Sequence, residues 1–253
     1  MRSADRLGLL AQTAYMAGVA GAAALLSSPV DRAYLAPQES LGLSFLPAYL
    51  SVALAASAAA AYYVVRHYRG KLRTILDAYT VLVTFASALE LCAYSGACAT
   101  AALGLGVAAA VAAAVAVGLR RPRTRSASYT AAGVLVGILL ALFVPFSWTP
   151  YVLLAFAAYD ALAVTRGPLR SIPADMDVLM VDVGDVRIGL GDVAFYSFAA
   201  SSLELSRGPA WALAAVAAVA AGSAITLAIL RRVNRPVPGL TIPLALCALL
   251  MFI

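Results

Sequence analysis

Nine apolar runs of about 17 to 25 residues, separated by short polar breaks, constrain this chain more than any other feature. They fall approximately at 8–27, 43–65, 74–93, 98–118, 128–146, 149–165, 188–205, 209–230 and 236–253. A helix rises about 1.5 Å per residue, so about 20 residues cross the hydrocarbon core of a bilayer, where only helices or closed barrels satisfy every backbone polar group. The expected fold class is an all-α membrane protein, a single polytopic domain over residues 1–253 with nine transmembrane helices. Composition agrees, because 63% hydrophobic and 12% charged residues are far from the globular balance. The opening run LGLLAQTAYMAGVAGAAALL is read as the first span and not as a secretory leader, since it is long enough to cross and many similar runs follow it. Ala-rich tracts such as GVAAAVAAAVAVG give helices small faces that pack closely where lipid supplies no hydrophobic drive between them.

The basic residues test the count, because cytoplasmic loops carry the Lys and Arg excess. With the N-terminus inside, the groups Arg2 and Arg6; Arg66, Arg69, Lys71 and Arg73; Arg120, Arg121, Arg123 and Arg125; Arg166, Arg170 and Arg187; and Arg231, Arg232 and Arg235 all fall in the cytoplasm. Only Arg32 and Arg207, two of the eighteen, fall outside. A missed or invented span would invert every later loop and spoil that division. The expected topology has a cytoplasmic N-terminus and an extracytoplasmic C-terminus. The net charge of +6 is thus a topology signal; with no soluble basic domain, it does not point to nucleic acid.

Acids inside apolar runs then become informative, since a charge near the bilayer centre costs about 2.5–3.5 kcal/mol on insertion scales. Asp192, in IGLGDV, lies about four residues into the seventh run, and Asp160, in AFAAYDALAV, lies about five residues before the sixth run ends. At helical rise both are within roughly 6 to 8 Å of the same membrane face. Two carboxylates sharing a site cannot both ionise cheaply, so the pair tends to hold one proton. That state suits peptide hydrolysis: the ionised acid takes a proton from water, the protonated one polarises the scissile carbonyl, and the roles then reverse. No metal or other cofactor is required. A structural pair bonded to hydroxyl side chains, or an ion-pathway pair, fits the same two residues. Asp77 and Glu90, near opposite ends of the third run, and Glu204, closing the seventh, lie where water or headgroups reach them and read as structural.

The loop 166–187 contains Asp175, Asp177, Asp182 and Asp185, read as solvated acids because the only histidine, His67, is elsewhere. Within DVLMVDVGDVRIG at 177–189, β-branched residues flank a Gly-containing turn, and a short hairpin or a mobile loop both fit. Cys92 and Cys98 flank the turn between the third and fourth runs, where an oxidising face would permit a disulfide, and Cys247 reads as packing.

YD at 159–160, GLGD at 189–192 and PGL at 238–240, in that order on runs six, seven and nine, resemble the presenilin and signal peptide peptidase family of intramembrane aspartyl proteases, whose hallmarks are YD, GxGD and PAL on those spans of a nine-span protein. The likeness covers the motifs, their spacing and the span count. It implies a catalytic pair of Asp160 and Asp192. Tyr159, Gly189, Leu190, Gly191, Pro238, Gly239 and Leu240 would then shape the site and hold substrate backbone. The departure is Gly239, where the motif has Ala. Pro236, Pro238 and Pro243 argue separately for irregular backbone there, since proline lacks a donor and resists a helix interior.

The charge bias puts the loop between the two acids in the cytoplasm, which resembles the presenilin branch; the large cleavable insertion of presenilins is missing. The resemblance therefore implies a compact microbial homologue in the cell membrane, working alone on transmembrane segments of other proteins, with oligomeric state left open. Prepilin and preflagellin peptidases share a GxGD acid but lack this ordered set. A proton-coupled transporter would also bury acids, and would show interrupted helices in matching halves, where this chain has one interruption.

Overall fold

The computed structural model describes residues 3–30, 71–96, 99–119, 121–166, 180–183, 186–233 and 237–253, with Tyr63 and His67 between. Eight helices and one hairpin are described: α1 (Ser3–Ser27), α2 (Leu72–Tyr94), α3 (Ala99–Gly118), α4 (Pro122–Phe143), α5 (Thr149–Arg166), strands β1 (Met180–Val183) and β2 (Val186–Gly189), α6 (Leu190–Arg207), α7 (Pro209–Val233) and α8 (Thr241–Phe252). Among the described residues, five stretches are long and apolar enough to cross a membrane: Gly8–Ser27, Arg73–Tyr94, Thr100–Gly118, Arg123–Phe143 and Pro209–Val233. Thr149–Leu162 and Thr241–Phe252 form shorter apolar helices. The expected second span, 43–65, lies outside the described residues except for Tyr63, as does Cys98, with which an oxidising face would permit Cys92 to pair.

Local chemistry explains where helix ends differ from the apolar pattern. α4 starts at Pro122, six residues before its run, because proline at a first helical position loses no hydrogen bond and is already set near the helical φ. α8 starts only at Thr241, beyond Pro236 and Pro238. α6 starts at Leu190 because Ile188 and Gly189 belong to β2, which pairs antiparallel with β1 in the register Met180 with Gly189 and Val183 with Val186. Of the two readings open for 177–189, a short hairpin and a mobile loop, the described strands form the hairpin, and it precedes α6.

α6 is the central helix, in contact with α1, α4, α5, α7 and α8. Tyr196, Phe198, Ala199, Ala200 and Leu203 are all buried on it. Its closest partner is α4, and two glycines one turn apart make the approach possible. A Cβ on Gly133 would lie 2.9 Å from Val193 Cγ1, and one on Gly137 would lie 2.7 Å from the Phe198 nitrogen. Small residues four apart let helix backbones approach this way in membranes. Gly222 of α7 does the same against α8, where a Cβ would come 2.5 Å from Pro243 Cα. Glu204, expected near water, is instead 7% exposed, because the surrounding helices enclose this end of α6.

Two other polar residues have structural occupations. Asp77 accepts hydrogen bonds from Arg125 Nη2 at 3.0 Å and the Tyr129 hydroxyl at 2.5 Å, tying α2 to α4. Arg207, one of the two exceptions to the charge pattern, donates to the Leu250 and Met251 carbonyls at 3.3 and 2.9 Å and stacks against Phe146 and Trp211. It thereby satisfies carbonyls at the end of α8 that have no partner within the helix.

Candidate active site

Asp192 is the third residue of α6, in its first turn, closer to the helix start than the apolar run implied. Its carboxylate lies beside Gly189, the residue that precedes the helix, where negative charge suits the positive end of the helix dipole. A Cβ on Gly189 would still clear the Asp192 carboxylate, at 3.6 Å.

Asp160 is on α5, which touches α6 little and packs chiefly on α8. Ala157 and Asp160 are three residues apart and so share a face. That face meets the start of α8 twice: the Thr241 hydroxyl donates to the Ala157 carbonyl at 3.0 Å, and the Leu240 N–H donates to Asp160 Oδ2 at 2.7 Å. The first amides of a helix have no partner within it and carry the positive end of its dipole, so a carboxylate there is well held.

The Pro238–Leu240 segment brings the two acids to one place. Leu240 donates its N–H to Asp160, and the preceding residue, Gly239, passes so close to Asp192 that a Cβ would lie 3.1 Å from Oδ2. The carboxylates are within each other's electrostatic reach. The residue where the sequence departs from Ala is thus the one whose missing methyl leaves room for Asp192.

Other expected site residues are arranged differently. Tyr159 is 50% exposed on α5. Leu190 packs with Leu76, Val117 and Tyr129, against α2, α3 and α4 and not toward the acids. Gly191 is exposed, and a Cβ there would meet nothing within 4 Å. Pro238 is half-buried. Two residues at the site were not singled out from the sequence. Thr241 directly follows Leu240. Tyr196 lies four residues after Asp192, one helical turn along the same face, and its hydroxyl donates to the Gly239 carbonyl at 3.0 Å; the helical period carried that signal.

No family model matches the chain, and no curated protein matches it significantly. The functional reading rests on the residues themselves.

Proposed function

We propose that the chain is an intramembrane aspartyl protease of presenilin type, hydrolysing peptide bonds within the transmembrane helices of other proteins. In this reading it is a nine-span cell-membrane protein with its N-terminus in the cytoplasm, and Asp160 and Asp192 activate one water against the scissile carbonyl. The observation that carries the reading is that both acids, from separate helices, border the same Gly239–Leu240 peptide. A site with two carboxylates at one piece of irregular backbone suits general acid and general base work on an extended peptide. The ordered YD, GLGD and PGL motifs support it independently.

The hairpin supplies a means of holding substrate. An intact helix keeps its carbonyls bonded internally, so hydrolysis requires unwinding, and a sheet edge stabilises an unwound segment by adding a strand. β1 and β2 form a sheet of only two described strands, leading directly into Asp192. With both acids near the cytoplasmic leaflet, cleavage falls in that half of the substrate. The preferred substrate enters with its N-terminus outside, since backbone hydrogen bonding fixes peptide direction across the dyad.

A structural role has one observation in its favour: each acid also lies at a helix start, Asp192 in the first turn of α6 and Asp160 against the start of α8. Asparagine separates the two readings, because it keeps an acceptor oxygen for capping but cannot exchange protons. Purified protein incubated with a labelled single-span substrate should cleave it, and Asp160→Asn and Asp192→Asn should not, with thermal stability preserved. Cleavage surviving in either variant overturns the dyad.

A further inference from the structure

The Gly239 carbonyl and the Leu240 N–H are the two ends of one planar peptide group. The carbonyl accepts from the Tyr196 hydroxyl of α6 at 3.0 Å, and the N–H donates to Asp160 Oδ2 of α5 at 2.7 Å. The two acid-bearing helices, which touch each other little, are therefore joined through a single amide of a third segment. A donor on the oxygen of an amide polarises it and strengthens the bond its N–H makes, so the two hydrogen bonds reinforce each other. The peptide plane also transmits orientation: a carbonyl free to rotate would swing its N–H away from Asp160.

We infer that Tyr196 is a positioning residue of the proposed protease, holding Asp160 in register with Asp192 through the Gly239–Leu240 peptide. The inference rests on the protease reading for its catalytic consequence, but the clamp itself is a property of the fold. Tyr196 is suited to this work. It is 1% exposed, so its ring is fixed by packing, and its position one turn beyond Asp192 ties the clamp to the helix that carries the other acid. Gly239 contributes in a complementary way, since a side chain there would press on Asp192 and move the clamped peptide. Tyr196 makes its hydrogen bond to the Gly239 carbonyl and acts on Asp160 through the backbone.

The test uses full-length protein in bilayer discs and compares wild type, Tyr196→Phe and Asp192→Ala. Phenylalanine keeps the ring and removes only the hydroxyl. Two readouts are followed: kcat and KM for a labelled single-span substrate, and hydrogen exchange at the Leu240 amide. In Tyr196→Phe, kcat should fall by roughly tenfold with KM unchanged, the effect of losing about one buried hydrogen bond's worth of orientation, and Leu240 exchange should speed by a similar factor. Unchanged kcat overturns the inference, and so does a lower kcat with unchanged Leu240 exchange. If wild type and Asp192→Ala are equally inert, the protease reading fails on its own account, and the exchange measurement still decides the clamp: faster exchange in Tyr196→Phe supports it and equal exchange removes it.

Discussion

Asp192 and Asp160 reach the same peptide from opposite kinds of surroundings. Asp192 lies in the first turn of the most enclosed of the described helices, where α1, α4, α7 and α8 pack around α6 and glycines at 133 and 137 bring α4 close enough to touch backbone. Asp160 is on a helix whose other face is open, with Tyr159 and Leu162 both about half exposed, and it is steadied by hydrogen bonds to the start of α8. One acid is positioned by packing and the other by hydrogen bonding. Packing is stiff because every neighbour must move for the helix to shift, whereas a few hydrogen bonds at a helix end are lost and remade easily. A site assembled this way has a fixed side and an adjustable side.

The largest expected effect treats both acids alike. Asp160→Asn and Asp192→Asn should each lower cleavage by at least about a hundredfold, measured by single-turnover cleavage of a labelled substrate, because proton transfer by a positioned group contributes on that order. A variant retaining turnover would break the symmetry of the pair.

Next comes the packed side. Gly137→Ala puts a methyl group against the Ala194 carbonyl and Ser197 Cβ, so α4 and α6 must separate, at a cost of about 1–3 kcal/mol. Thermal unfolding in detergent should show the loss. Leu162→Ala, at an exposed position of α5, should stay within about 0.5 kcal/mol of wild type. Equal losses would mean that the two helices are held alike.

On the hydrogen-bonded side, Thr241→Val removes the hydroxyl that donates to the Ala157 carbonyl. Stability should fall by about 1 kcal/mol, and cleavage should fall with it, since α5 loses part of its tie to the helix start that holds Asp160. A stability loss with unchanged cleavage would show that the Leu240 N–H alone positions Asp160. A smaller effect is expected for Gly239→Ala: with the new methyl 3.1 Å from Asp192 Oδ2, the carboxylate must give by a few tenths of an ångström, so cleavage should drop severalfold with little change in unfolding temperature. The smallest belongs to Gly191→Ala. It meets open space, and both stability and cleavage should match wild type even though this glycine lies inside the GLGD motif.

Much of the architecture was legible from one-dimensional pattern. Apolar runs mark five of the eight described helices to within three residues at both ends, and the fit is poorest at the starts of α1, α4 and α8, where α4 begins early at Pro122 and α8 begins late, beyond the prolines at 236 and 238. The prolines at 236 and 238 announce irregular backbone before α8 without fixing the residue at which the helix begins. Asp77 and Glu204 were read together as acids within reach of water, yet one is ion-paired to Arg125 and the other is enclosed, a distinction that depends on which helices surround them.

The sequence by itself determined that this chain makes a set of apolar helices and that two acids fall at matching ends of consecutive ones, because hydropathy and helical rise are local properties. Only the tertiary structure decided which motif residues meet. Leu240 reaches Asp160 across 80 residues and Tyr196 reaches the Gly239 carbonyl across 43, while Leu190, equally marked by the motifs, packs elsewhere and Gly191 and Tyr159 are exposed. The physical reason is that a hydrogen bond tolerates only a few tenths of an ångström, and that precision is set by the packing of several helices at once, such as α4 on Gly133 and Gly137 and α7 on Gly222 against Pro243, which no single stretch of sequence contains.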